Sequence, residues 1–203
     1  MRRAFLVSCV ATAALAACGS TGDSASHLLH ATPAHYLLTL DQLATPDFTV
    51  VQAAHSVDLA TLTGGDATLQ RQVQGDGFTA AASIQFFRQV DLATSNGPIE
   101  IIATVESFQD ADGAHRSYAR DAQRRDATRG EVPTSTGALG DEAHADSVVM
   151  TAPGGIPVVQ ITVEWRVANL IDTIIVRGRY GGARLDDALL LAHRMTANAN
   201  AAS

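Results

Sequence analysis

A chain of 203 residues with 46% apolar, 17% charged and only 5% aromatic residues fits one ordinary globular domain with a short appendage. A net charge of -7, from 14 basic and 21 acidic residues, excludes nonspecific nucleic-acid binding, which needs a basic surface to neutralise phosphates. Every basic residue is arginine, so phosphate-loop lysines, Schiff-base chemistry and serine-lysine dyads, which need a primary amine, are excluded as well.

Met1-Arg2-Arg3 followed by an uncharged apolar run from Ala4 to Ala17 has the charged start and short hydrophobic stretch of an export signal. The run is shorter than the roughly 20 residues a membrane-spanning helix needs, and Gly19 to Asp23 after it are turn and linker types. Leu15-Ala16-Ala17-Cys18 closes the run, and this short motif resembles the lipobox of bacterial lipoproteins. The resemblance implies that residues 1–17 are removed and that Cys18 becomes an acylated first residue. The domain is then anchored on a membrane outside the cytoplasm, since two or more acyl chains hold a protein there. Cys9 falls inside the removed signal, which leaves the folded part without a thiol and therefore without a disulfide or thiolate metal site. Without Arg2 and Arg3 the remaining chain has 12 basic against 21 acidic residues, a net of -9. Anionic lipid repels such a surface, so the membrane contact is expected through the lipid on Cys18 alone.

Residues 18–35 read as the lipidated cysteine and a flexible tether, and residues 36–203 as a single domain. His27, His30 and His35 fall near or within that tether, where imidazoles without a fixed second shell are more often solvated than metal-bound. Thr39 predicts a cap for a short turn through Leu40 and Leu43, and Phe48 to Ala53 a first strand. Asp66 caps a helix over Leu69 and Val73 that Gly75 and Gly77 end. Alternation of Ala80, Ala82, Ile84 and Phe86 with Ala81, Ser83, Gln85 and Phe87 predicts a strand. Asn96-Gly97 then turns the chain, and a partner strand runs from Ile99 to Phe108. Asp110 and Asp112 open a helix that repeats Ala111, Ala114, Tyr118 and Ala122 on one face.

Arg129 to Ala143, with its glycines and Pro133, predicts a long loop. Strands follow near Ser147–Thr151, from Pro157 to Val167 and from Leu170 to Tyr180, and a last helix covers Leu185 to Met195. The order strand, turn, strand, helix occurs at roughly 79–125 and again at 158–198, which suggests a duplicated unit. Short connections favour antiparallel neighbours, so the fold class expected is α+β, an antiparallel sheet of about five or six strands packed by helices. This arrangement is similar to small extracytoplasmic lipoprotein and sensor domains, including PsbP-like ones, and Leu139-Gly140-Asp141-Glu142-Ala143 resembles a turn seen in several of them. No activity follows from that likeness.

In the strand 157–167, Val159, Ile161, Val163, Trp165 and Val167 point one way, while Gln160, Thr162, Glu164 and Arg166 point the other. The neighbouring strand adds Arg177 and Arg179 to the polar side, and the earlier hairpin adds Glu100, Thr104 and Glu106. If helices cover only the apolar side, the polar side receives a ligand or partner, with Arg166, Arg177 and Arg179 recognising an anion and Glu164 orienting them. A solvated face with weak ion pairs is the plainer alternative.

Other signals are poor. Gly178 to Gly182 matches no phosphate loop, and Asp110-Ala111-Asp112-Gly113 lacks the spacing of a calcium loop. No GxSxG elbow or HExxH occurs, and His115, His144 and His193 have no recognisable partner spacing. No catalytic residue, metal site or cofactor is assigned. The reading is a noncatalytic, lipid-anchored extracytoplasmic module for a small molecule or an envelope protein. The alternatives are an extracytoplasmic hydrolase with a spatially assembled carboxylate or histidine site, and a structural envelope lipoprotein.

Overall fold

The computed structural model of the protein describes residues 28–126 and 132–202. The signal, Cys18, His27 and the Arg129 to Glu131 part of the expected loop lie outside the described residues.

Among the described residues, seven antiparallel strands form one sheet in the order β1-β2-β3-β7-β6-β5-β4. They are β1 (Phe48–Ser56), β2 (Phe78–Arg88), β3 (Glu100–Phe108), β4 (Val132–Thr134), β5 (Glu142–Thr151), β6 (Pro157–Val167) and β7 (Leu170–Arg179). The described residues also form the helices α1 (Leu59–Leu62), α2 (Ala67–Gly75), α3 (Ala111–Asp126) and α4 (Leu185–Ala201). The α+β class is as expected, with a strand more than foreseen. The additional strand arises within the stretch expected as a loop: Val132–Thr134 pairs with Ser147, Asp146 and Ala145, and β5 already starts at Glu142. Pro133 falls in β4, the edge strand of the sheet, which is where sheets accommodate proline.

Strand periodicity assigns the two sides of the sheet. Ile101, Ala103, Val105, Val159, Ile161, Val163, Trp165, Ile174 and Val176 are buried on the apolar side. On that side α4 lays down Ala188, Leu191, Ala192, Met195 and Ala199, spaced as one helical stripe. The chain preceding β1 shares this core. Leu29, Tyr36, Leu37 and Leu38 are buried in it, and two 3₁₀ turns, Pro33–His35 and Leu40–Gln42, carry the backbone across. Packing therefore begins seven residues before the boundary that composition alone suggested. Each fully buried side chain of this kind contributes roughly 1.5–3 kcal/mol, enough to hold a short irregular segment in place.

The second side is where the expected arrangement changes. Helix α3 does not join α4; it packs with α2 on the polar side, where Ala114 and Tyr118 meet Phe108, Ile171, Leu69 and Val73. The two strand-strand-helix stretches thus send their helices to opposite sides of the sheet. Asp66 caps α2 as expected, accepting from the N–H groups of Thr68 and Leu69.

The Leu139-to-Ala143 turn is a fastening. Gly140 has φ +58°, and a Cβ there would stand 2.4 Å from the Arg166 carbonyl oxygen, so glycine is required twice over. Asp141 donates its N–H to Arg166 O at 2.8 Å, and its carboxylate accepts from the Ala168 N–H at 2.8 Å. That bond steadies Ala168, which holds φ +52° in the β6–β7 turn without being glycine.

Candidate functional site

The polar side divides into a covered half and an open half. Cross-strand register sets the rows: Glu142, Arg166, Ile171 and Glu106 form the first, and His144, Glu164, Thr173 and Thr104 the second. Asp146, Thr162, Ile175 and Ile102 form the third, followed by Val148, Gln160, Arg177 and Glu100.

Helix α3 covers the first rows with charged groups. Arg125, one step further along the stripe of Tyr118 and Ala122, forms an ion pair with Glu164, and its Nη1 lies 3.8 Å from Asp146 Oδ2. Glu164 is only 3% exposed. Loss of hydration pushes its carboxyl up to about 7 against the pull of Arg125, and pushes Glu106 up to about 8, with Asp121 and Glu164 adding repulsion. Burial likewise raises the Tyr118 phenol, with the carboxylates of Glu164 and Glu142 adding to the shift. Arg116 and Arg120 both pair with Asp76, which ties α3 to the end of α2. Glu164 therefore serves the helix-to-sheet contact through Oε2, while its Oε1 is buried without a hydrogen-bond partner among the described residues.

Arg166 is similarly engaged. Its side chain binds Glu142 at 2.6 Å, Asp141 at 3.1 Å and the Ala168 carbonyl at 2.8 Å. It stands opposite Ile171 near the start of β7, whereas Arg179 stands opposite Val158 at the other end of β6. Eight residues of strand separate the two rows, about 27 Å. The four residues singled out in the sequence lie on the same side of the sheet, as expected, yet they do not form one constellation. Arg177 and Arg179 remain neighbours.

Around Arg177 the sheet is open. A hydrogen-bonded ladder crosses four strands: Gln85 Nε2 donates to Glu100 Oε1 at 2.5 Å, Arg177 Nη1 to Glu100 Oε2 at 2.8 Å, and Arg177 Nε to Gln160 Oε1 at 2.8 Å. Nη2 of Arg177 has no partner among the described residues, so the guanidinium is fixed in orientation with one amino group unspent. Beside it lies a cleft of about 220 Å³ whose walls are Phe87, Val90, Leu92, Ile99 and Val158, with Glu100 and Arg177 as its charged groups. The loop between β2 and β3 forms one wall, and Arg179 holds it by donating to Ser95 O at 3.1 Å and Asn96 Oδ1 at 3.4 Å. Arg88 donates to Asn96 O from the other side at 2.5 Å. Val90 and Leu92 gave no sequence signal because the loop carries no periodicity; only its fastening by two arginines makes them a wall. A wider groove of about 520 Å³ along α2 is lined by Leu59, Gln70, Arg71, Gln74 and Gly75 and gathers no comparable set of apolar and fixed polar groups.

The remaining motifs take structural roles. Asp110 accepts from the Gly113 N–H at 2.7 Å, and the Asp187 carboxylate accepts from the Arg184 N–H at 2.9 Å, each closing a helix start. Gly178 lies where a Cβ would meet Gly97 O and the Ala183 Cβ, both at 2.8 Å, which is a packing requirement of the strand-to-helix corner. His115 binds Glu142 at 2.7 Å, His35 binds Thr32 at 2.9 Å, and His193 lies on the exposed side of α4. Among the described residues, no three His, Cys, Asp or Glu side chains are placed to hold a metal ion. No described helix is long and apolar enough to cross a membrane.

The site and fold define an α+β protein with an amphipathic cleft on one side of an antiparallel sheet. No family model matches the chain, and no curated protein matches it. Among solved structures, it is similar to the extracellular domain of PknH from Mycobacterium tuberculosis, with a TM-score of 0.49 and 14% identity over 82% of this chain and 93% of that chain.

Proposed function

We propose that the protein is a noncatalytic binding module, held by lipid on Cys18 at a membrane outside the cytoplasm, and that it takes its ligand in the cleft beside Arg177. The observation that carries this reading is the Gln85-Glu100-Arg177-Gln160 ladder under an apolar wall. A guanidinium with two of its three nitrogens already committed is pre-oriented, and a pre-oriented group loses little entropy when a ligand anion engages the remaining one. The apolar walls favour a ligand that joins an anionic group to a hydrophobic body, which covers a small amphipathic acid or the acidic end of a peptide.

The placement of Arg166 and Glu164 narrows the earlier anion-site idea to Arg177, with Arg179 supporting the wall. Anchoring rests on the Leu15-Ala16-Ala17-Cys18 motif and the charge pattern before it. Thermal-shift screening of the domain from residue 28 onward against amphipathic carboxylates and phosphates tests the cleft. A specific ligand raises the melting temperature by mass action, and Arg177→Ala abolishes the rise. A rise that survives Arg177→Ala and Val90→Asp contradicts the assignment.

A further inference from the structure

The chain enters the fold through a buried clamp. Asn169, 4% exposed in the β6–β7 turn, accepts the Leu29 N–H on Oδ1 at 2.8 Å and donates from Nδ2 to Leu29 O at 3.2 Å and Phe108 O at 2.9 Å. Two residues later the Ala31 N–H donates to the hydroxyl of fully buried Tyr36 at 2.9 Å. Leu29 itself is buried in the main core. A side-chain amide that satisfies both backbone groups of one residue fixes that residue like a short piece of sheet, so the N-terminal arm leaves the domain at one defined end.

Leu29 stands 11 residues after Cys18, a distance the chain can span only up to about 36–40 Å. Asn169 immediately precedes β7, and Arg177 stands seven residues along that strand from Leu170, about 23 Å further on.

From this we infer that the Asn169 clamp orients the domain. The β6–β7 turn end faces the membrane, and the Arg177 cleft opens away from it, toward ligands dissolved in the aqueous space rather than lipids of the anchoring bilayer. The inference rests on the lipid anchor at Cys18 but is separable from it.

The test uses the full chain, produced in a bacterial host and reconstituted in vesicles of phosphatidylcholine and phosphatidylglycerol. Single cysteines are introduced as Asp112→Cys near the clamp and Tyr180→Cys at the far end, each labelled with a fluorophore and quenched by headgroup nitroxide lipid. At least twofold stronger quenching at residue 112 than at residue 180 is expected, and Leu29→Ser, which removes the arm's apolar anchor, brings the two closer together. Equal quenching, or stronger quenching at residue 180, in protein that floats with the vesicles overturns the orientation and leaves the anchor intact. Protein that fails to float overturns both.

Discussion

Asp172 and Trp165 stand directly opposite each other on β7 and β6, both fully buried on the apolar side of the sheet. Neither carboxylate oxygen and not the indole N–H has a hydrogen-bond partner among the described residues. Such a carboxyl is costly to ionise, and its burial pushes it up to about 8.

Stability should therefore decline with rising pH. An unfolded aspartate loses its proton near 3.9, while Asp172 in the folded chain keeps one until about 8. Between those values the native state binds the extra proton, so each pH unit costs up to about 1.4 kcal/mol, and the loss is complete above pH 8. Glu106 acts in the same direction. Urea unfolding followed by fluorescence of Trp165, the only tryptophan, reads this directly. The difference between Asp172→Asn and wild type should grow in the variant's favour from pH 4 to pH 8.

Removing the cation over Glu164 should be worse than removing the pair. Arg125→Ala removes the cation that favours the ionised Glu164, so the carboxyl, at about 7 even beside Arg125, stays protonated at neutral pH, and the loss of stability grows as pH rises above 7. Arg125→Ala combined with Glu164→Gln should recover a large share of the loss. Denaturation midpoints of the two single variants and the double variant provide the check.

Gly140→Ala should destabilise the domain by more than about 2 kcal/mol, because it combines a positive φ with a Cβ placed against Arg166 O. Gly137→Ala is a useful contrast. Its φ is also positive, at +66°, but a Cβ there meets nothing within 4 Å, so only the backbone strain of about 1 kcal/mol remains. Parallel thermal melts separate the two costs.

Arg177→Ala should leave the fold nearly untouched while removing ligand-dependent stabilisation. Its pair with Glu100 is partly exposed, and such pairs contribute about 0–1 kcal/mol. A melting temperature within a few degrees of wild type, together with loss of ligand response, is the expected pattern.

The strands richest in β-branched residues were the most legible from sequence. Pro157–Val167 alternates so regularly that its ends and both its sides follow from periodicity. The start of β5 was hidden because Glu142, His144 and Asp146 alternate with the small Ala143 and Ala145, a pattern with little hydrophobic contrast. The packed arm from Leu29 to Leu38 was masked by histidines, alanines and threonines that read as linker; its order comes from Asn169, 140 residues away. Helix α3 gave its apolar stripe but not its side of the sheet, since Arg125 and Glu164 signal contact only when seen together. Of the residues expected to bind, Arg177 was placed on the correct side by alternation alone, while its cleft depends on a loop whose position no local pattern encodes.

The most direct measurement is the mass of the mature N-terminal peptide from protein recovered with bacterial membranes. The account predicts that the chain begins at Cys18 and carries a diacylglyceryl group on its sulfur. A free thiol at Cys18, or a chain that retains Met1 in the cytoplasmic fraction, would contradict it.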